Sequence, residues 1–533
     1  RQQHVTGDID RAGGRIHRGE EGRIDFQIAT HVADVSVQPY GGELRFDDVQ
    51  GTLTFERKRL LIEGIKGSRG DATVNIDGQV SWFGDGALLD IHTSVSAMPL
   101  DPPLLNILPP TSPPRARLAR LFDEYKLEGR FDADVHYRGL VGSEAPEVEQ
   151  DTTYDIKARP HRLALVLRDT PIELTDITGA LRIRPGRIDL EQLAASHDSG
   201  RFEGSGAVGF DTTSDIDLRL SATSDELGPA TRAVLPDAVL RTIDGLTLQG
   251  GYTIDDAHLR YTPDAADGPV LTFTGPVRMH DASAVAGVNI TQFEGTLALH
   301  VEQQRGETMP RIDIDLNAEV LRAAGRAIEN ARMRIGNAAT PRRLDIDSLY
   351  GQLYGGVITG RGEVALGETN RYRMSLAAED ARFTQVADPQ DPAPDGQQAT
   401  GVLFARLDIE GITGDPDSKR GRGAMEVHNA RMYELPFALA LLQIANLTLP
   451  TSSAFDRAST QFLVDGDHVV LESIRFEAPS VQIVGGGTIA CATREFGLTM
   501  YISGTGGDLG AVGFLANVFK DELLNIHITG TLS

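Results

Sequence analysis

Short stretches in which apolar and polar residues alternate one by one, each cut off after about ten residues by glycine or charge, recur from one end of the chain to the other. They include TLTFE (52–56), VNIDGQV (74–80), GALRIRPG (179–186), TLALHVE (296–302), RIDIDLNA (311–318) and SVQIVGGG (480–487). Side chains of a strand point alternately to its two faces, so each stretch predicts a strand with one apolar face. The breaks have hairpin spacing, too short for the crossover that joins parallel strands, so the sheet is expected to be antiparallel.

A three-strand unit recurs on top of this alternation. Residues 177–210 (ITGALRIRPGRIDLEQLAASHDSGRFEGSGAVGF) and 328–364 (IENARMRIGNAATPRRLDIDSLYGQLYGGVITGRGEV) both run strand, turn, acid-bearing strand, small-residue turn, then a strand of form G-x-G. Residues 458–490 and 49–80 fit as a third and a fourth copy. Self-similarity at this period argues for stacked supersecondary units and an elongated body.

Composition narrows the partners. Lys plus Arg is 51 against 76 Asp plus Glu, a net charge of −25 that repels phosphate backbones, so nucleic-acid binding is disfavoured. With 40% hydrophobic but only 6% aromatic residues and 57 glycines, the chain of 533 residues reads as aliphatic, thin-walled and rich in turns. The lone cysteine, Cys491, excludes an intrachain disulfide and a cysteine-based zinc site. No apolar run is long enough to span a bilayer. The chain begins without methionine and ends on a strand-like stretch, so it is expected to be a piece of a longer protein with any membrane anchor outside it.

Residues 1–108 are read as an N-terminal β-groove segment, 129–223 and 246–386 as β repeats, and 399–533 as a C-terminal β region with two short helices. Between them lie helical insertions at 109–128 and 224–245, the second a proline-broken pair, and a solvated linker at 387–398. The apolar segments 434–450 and 507–524 are expected to form the two C-terminal helices, the first packing over the end of a sheet.

Site chemistry is sparse. The pairs Asp313 with Asp315 and Asp345 with Asp347 are read as a solvated outer face, because Ile312, Ile314 and Leu316 take the opposite one. The 13 histidines have no metal-ligand or triad spacing, so no metal, cofactor or catalytic residue is expected. GTGGDLGAVG (504–513) misses the dinucleotide fingerprint by one residue and reads as a strand-to-helix turn.

The inward positions are mainly slim aliphatics: Leu53 and Phe55, Val74 and Ile76, Leu181 and Ile183, Leu297 and Leu299, Ile312, Ile314 and Leu316, Leu344 and Ile346, Val481 and Ile483. Such a face is covered either by a second sheet, as in a sandwich, or by guests lying in a sheet curled lengthwise into a trough. Periodicity alone leaves both open.

The stretches LDIDSLYGQLYGGVITGRGEV (344–364) and IDLEQLAASHDSGRFEGSGAVGF (188–210) resemble repeats of the AsmA-like family of cell-envelope proteins, the AsmA/TamB/YhdP type. The tail is similar to that family's C-terminal region: an apolar helix at 438–449, a V-D-G strand at 464–466, P-S-V-x-I-x-G-G-G at 479–487 and I-x-G-T-L at 528–532. The resemblance implies a mainly β fold, an elongated antiparallel sheet curled into a groove. It also implies a periplasmic, inner-membrane-anchored protein, reaching the inner and outer membranes at its ends and carrying phospholipid acyl chains without catalysis. The family's N-terminal membrane helix is expected to lie outside these residues. The expected function is intermembrane phospholipid transport or outer-membrane biogenesis. The alternative is an envelope scaffold acting on a protein partner through strand edges, and an envelope-polymer hydrolase is the second rival.

Overall fold

The computed structural model describes residues 4–18, 24–83, 86–108, 113–141, 153–198, 200–210, 214–235, 237–263, 269–285, 289–307, 310–337, 342–365, 369–383, 401–428, 457–477, 481–504 and 525–531. Strands account for 79% and helix for 8%, which makes the fold mainly β. The chain divides into two compact units, one of residues 1–235 with 253–275 and the other of 236–252 with 276–533.

The first unit holds β1 (His4–Arg18), β2 (Ile24–Gln38), β3 (Phe46–Glu56), β4 (Arg59–Arg69), β5 (Ala72–Phe83), β6 (Gly86–Leu100), β7 (Glu128–Val141), β8 (Thr153–Leu167), β9 (Thr170–Arg184), β10 (Arg187–His197), β11 (Gly200–Gly209) and β12 (Ile216–Ser224). Each pairs antiparallel with the next. β13 (Gln249–Tyr261) and β14 (Pro269–Val285) have residues in both units.

The second unit holds β15 (Asn289–Gln304), β16 (Arg311–Ala323), β17 (Arg326–Gly336), β18 (Arg343–Leu353), β19 (Gly356–Ala365), β20 (Arg371–Arg382), β21 (Val402–Ile412), β22 (Asp415–His428), β23 (Arg457–Asp465), β24 (His468–Glu477), β25 (Val481–Ala490), β26 (Glu495–Gly504) and β27 (Asn525–Thr531). They too pair in sequence order, all antiparallel. The expected antiparallel sheet is therefore present in both units. The four stretches 49–80, 177–210, 328–364 and 458–490 each fold as three successive strands.

The expected helical insertions are α1 (Pro113–Tyr125), opened by prolines, and the pair α2 (Pro229–Val234) and α3 (Asp237–Gly245). The linker 387–398, the helices expected at 434–450 and 507–524, and all of the glycine turn after Gly504 lie outside the described residues.

The sheets bend at bulges. In the first unit Asp34, Asp48, Ala97 and Gln192 have positive φ and sit where the register slips, at Val32/Val35, Asp47/Gln50, Val95/Met98 and Glu191/Ala194. In the second unit Gln292, Asn330 and Asp380 do the same at Thr291/Glu294, Glu329/Arg332 and Ala378/Ala381. An extra residue in one strand kinks it and strengthens its twist, and it leaves a backbone N–H without a ladder partner. The neighbouring strand supplies one by side chain: Asp132 accepts from the Ala97 N–H at 2.8 Å, Asp77 from Gly64 at 2.7 Å, and Glu294 from Asp281 at 2.8 Å. The Ala97 bond, reinforced by His161, holds the Asp132 carboxyl below its usual range.

Packing is one-sided. In the second unit a row of buried side chains crosses successive strands through Ala381, Leu403, Val427, Ala458, Phe476 and Ile483. A second cluster joins Leu344, Ile346, Val364, Tyr372 and Met374. The outer positions are ionic: Arg334 meets Asp315 at 2.9 Å, and Arg343 meets Asp345 at 2.8 Å. The acid-x-acid pairs thus belong to the outer face, as expected, with Asp313, Asp315 and Asp347 exposed.

Candidate functional site

Period-2 alternation becomes a surface only when the registers agree from strand to strand, and here they do. In the first unit, cross-strand partners run Ile65, Ile76, Thr93, Val135, Ile156, Ile183, Ile188 and Val208 from β4 to β11. In the second, a row runs Leu299, Ile314, Ile335, Ile346, Gly362, Met374 and Ile409 from β15 to β21. Neither row contains an acid or a histidine.

The bulges preserve this phase. On β4 the inward series Leu60 and Ile62 resumes as Ile65 and Gly67 after Gly64, whose φ of 59° accommodates the extra residue. A slip of one residue would turn every later side chain over, so the bulge residue is what keeps both halves of the strand facing the same way.

The expected lining residues of the described set differ in cover. Val74, Ile312, Leu344, Ile346 and Ile483 are buried. Leu53, Ile76, Leu181, Ile183, Leu297, Leu299, Ile314 and Leu316 are half-buried. Phe55, at the end of β3 beside Ile28 and Leu60, is 38% exposed and covers little. The side chain of Val481 lies outside the described set. Register brings Leu297 opposite Leu316, Leu299 opposite Ile314, and Ile346 opposite Ile335.

Sequence reasoning listed the aliphatics but missed the part glycine plays on the same face. The G-x-G strands put two glycines inward, and a long neighbour lies over each pair. Leu220 packs at Gly204, Leu376 and Met374 at Gly360 and Gly362, the Phe462 ring at Gly423, and Met500 and Leu498 at Gly485 and Gly487. A Cβ at Gly423 would stand 2.3 Å from Phe462 Cζ, and one at Gly485 would stand 2.4 Å from Met500 Sδ. Large side chains therefore lie over these glycines, in space that a Cβ would take.

Among the described residues, every extensive strand–strand contact joins strands consecutive in sequence. Among the described residues no helix is long and apolar enough to cross a membrane. Tyr372, 4% exposed, places a hydroxyl without a hydrogen-bond partner among the described residues within the apolar cluster, and burial raises its pKa.

A different cluster, unforeseen in the sequence, lies on the outer face of the first unit. Asp77, His92, His136 and Asp155 are successive cross-strand partners on β5 to β8, and Asp90 lies beside His136. No spacing rule could have found them, since His92 and His136 are far apart in the chain and meet only through the β6–β7 register.

No protein-family model, no curated protein and no solved structure matches the chain.

Proposed function

We propose that the protein is a non-enzymatic carrier in which the apolar face of the sheet shields phospholipid acyl chains, acting in the cell envelope between membranes as the AsmA-like resemblance implies. One observation carries the reading: rows of aliphatic side chains run in register across successive strands with no acid or histidine among them, and Leu299, Ile314 and Ile335 on neighbouring strands stay half-exposed. A partly accessible row of contiguous apolar side chains supports reading that face as a binding surface.

The energetics favour such a guest. Each methylene moved from water to an apolar surface gains about 0.8 kcal/mol, so a chain of fifteen methylenes gains roughly 12 kcal/mol. Bonding along the row is non-directional, so the chain can shift from one strand to the next at nearly constant energy while its headgroup stays in water. No bond is made or broken, and the direction of transfer is set by a lipid gradient or a partner. The groove form and its repeat construction are part of the proposal.

The test is native mass spectrometry of the purified chain with lipid extraction, comparing wild type with Ile314→Asp and Ile335→Asp. Both positions are half-buried on neighbouring strands, so the sheet should still form while a charge interrupts the apolar row. Co-purified phospholipid in wild type, reduced at least several-fold in the variants, is the expected result. A lipid-free wild type, or equal lipid in well-folded variants, would remove the reading, and retained binding of an envelope protein by lipid-free variants would favour a scaffold.

A further inference from the structure

The outer-face cluster on β6 and β7 has no part in lipid shielding. His92 and His136 are direct cross-strand partners whose rings stack with centroids 3.9 Å apart and planes at 11°. Asp90 Oδ1 lies 2.9 Å from His136 Nε2, and one donor atom from each of the three residues lies within 4.8 Å of the others. His92 and His136 border a depression of about 360 Å³ whose walls include Asp77, Asp134 and Asp155.

The other charged groups around it are engaged. Asp155 pairs with Arg182 at 2.5 Å, Asp134 with Arg159 at 3.1 Å, Lys157 with Glu191 at 2.7 Å, and Asp77 accepts from the Gly64 N–H. His92, by contrast, makes no hydrogen bond from either ring nitrogen among the described residues, its ring contact being with His136. An uncommitted imidazole beside a second imidazole that already meets a carboxylate is a donor set of two nitrogens and one oxygen.

We propose that Asp90, His92 and His136 bind a divalent transition cation of the zinc class. Imidazole with carboxylate suits zinc, copper or nickel better than magnesium or calcium, which prefer all-oxygen shells. Two ligands about 2.1 Å from a tetrahedral zinc stand about 3.4 Å apart. The Asp90–His136 distance of 2.9 Å is close to that already, and the remaining separations, all within 4.8 Å, close by rotation of half-exposed side chains. The cation takes the position between Nε2 and Oδ1, His92 turns a lone pair toward it, and the fourth position is left to water. Because β6 and β7 each contribute ligands, the bound ion cross-links two strands at the centre of the first unit's sheet.

The experiment is isothermal titration of Zn²⁺ into the chain in excess Mg²⁺, with His92→Ala and His136→Ala, and with His468→Ala on β24 as a control outside the cluster. One site per chain is expected, weakened at least tenfold by each cluster substitution and unchanged by the control. Co²⁺ in place of Zn²⁺ should give visible absorption of a tetrahedral site in wild type, a readout independent of the variants. Equal Zn²⁺ affinity in the His92→Ala, His136→Ala double variant, displacement by Mg²⁺, or absence of the Co²⁺ band would overturn the proposal.

Discussion

Large side chains on the apolar face lie over inward glycines, and Gly423 on β22 tests that directly. Alanine there sets a methyl 2.3 Å from Phe462 Cζ and 2.8 Å from the Arg406 carbonyl oxygen, against an ordinary carbon contact of about 3.5–4.0 Å. The ring must move by more than 1 Å. Overpacking of this kind costs about 1–3 kcal/mol, and because Phe462 is half-buried and can swing outward, the lower part of that range applies, about 1–2 kcal/mol. Removing the ring by Phe462→Ala costs a similar amount through lost burial, but it also frees the space over residue 423. In the double variant most of the Gly423→Ala penalty should vanish, a coupling of about 1 kcal/mol or more. Hydrogen exchange read peptide by peptide over β22–β24 is the appropriate assay, because it reports local opening without assuming that so long a chain unfolds in one step. Gly423→Ala should speed exchange there roughly 5- to 30-fold. Gly497→Ala on β26 is the control: no atom lies within 4 Å of its added methyl, so it should be neutral or slightly protective. Additive effects of Gly423→Ala and Phe462→Ala would refute the account of large side chains over glycine.

Other outcomes follow from buried polar groups and bulges. Tyr372→Phe removes a buried hydroxyl that has no partner among the described residues and should stabilise β18–β21 by about 1 kcal/mol, measured by the same exchange. Since burial raises the Tyr372 pKa, the unfolded chain ionises first above about pH 10, so wild type should lose stability as pH rises past that point and the phenylalanine variant should lose less. Asp132→Ala deprives the Ala97 N–H of its acceptor and should destabilise the β6–β7 bulge by about 1–2 kcal/mol. The depressed Asp132 pKa means this support is present above the ordinary carboxylate range and fades as pH falls through the lower folded value, so wild type and variant should converge in acid.

What the sequence disclosed was whatever a strand or helix decides locally. RIDIDLNA alternates because β16 has one wet and one dry face, and the sorting of Asp313 and Asp315 from Ile312 and Ile314 follows from that period alone. PPRARLARLFDEY carries its own proline start, so α1 was legible as well. Register is not local. Leu299 meets Ile314 only because the hairpin and its bulges set the offset, and the same offset brings together His92 and His136, which composition left scattered. The bulges themselves were hidden because aspartate and asparagine, more than glycine, hold them: Asp34, Asp48, Asn330 and Asp380 adopt positive φ, which their short polar side chains tolerate. Phe55 shows a further limit, since alternation tells which way a residue points but not how near it lies to the end of its strand.

Because each strand within a unit pairs with its immediate predecessor, almost all pairing is between neighbours in the chain. Closing a hairpin of this size brings together ends only a couple of dozen residues apart, so the ladder can lengthen one strand at a time behind a growing or threading polypeptide. A block at any one hairpin would halt extension beyond it while leaving the part already zipped intact, which makes assembly order a property of the connectivity itself.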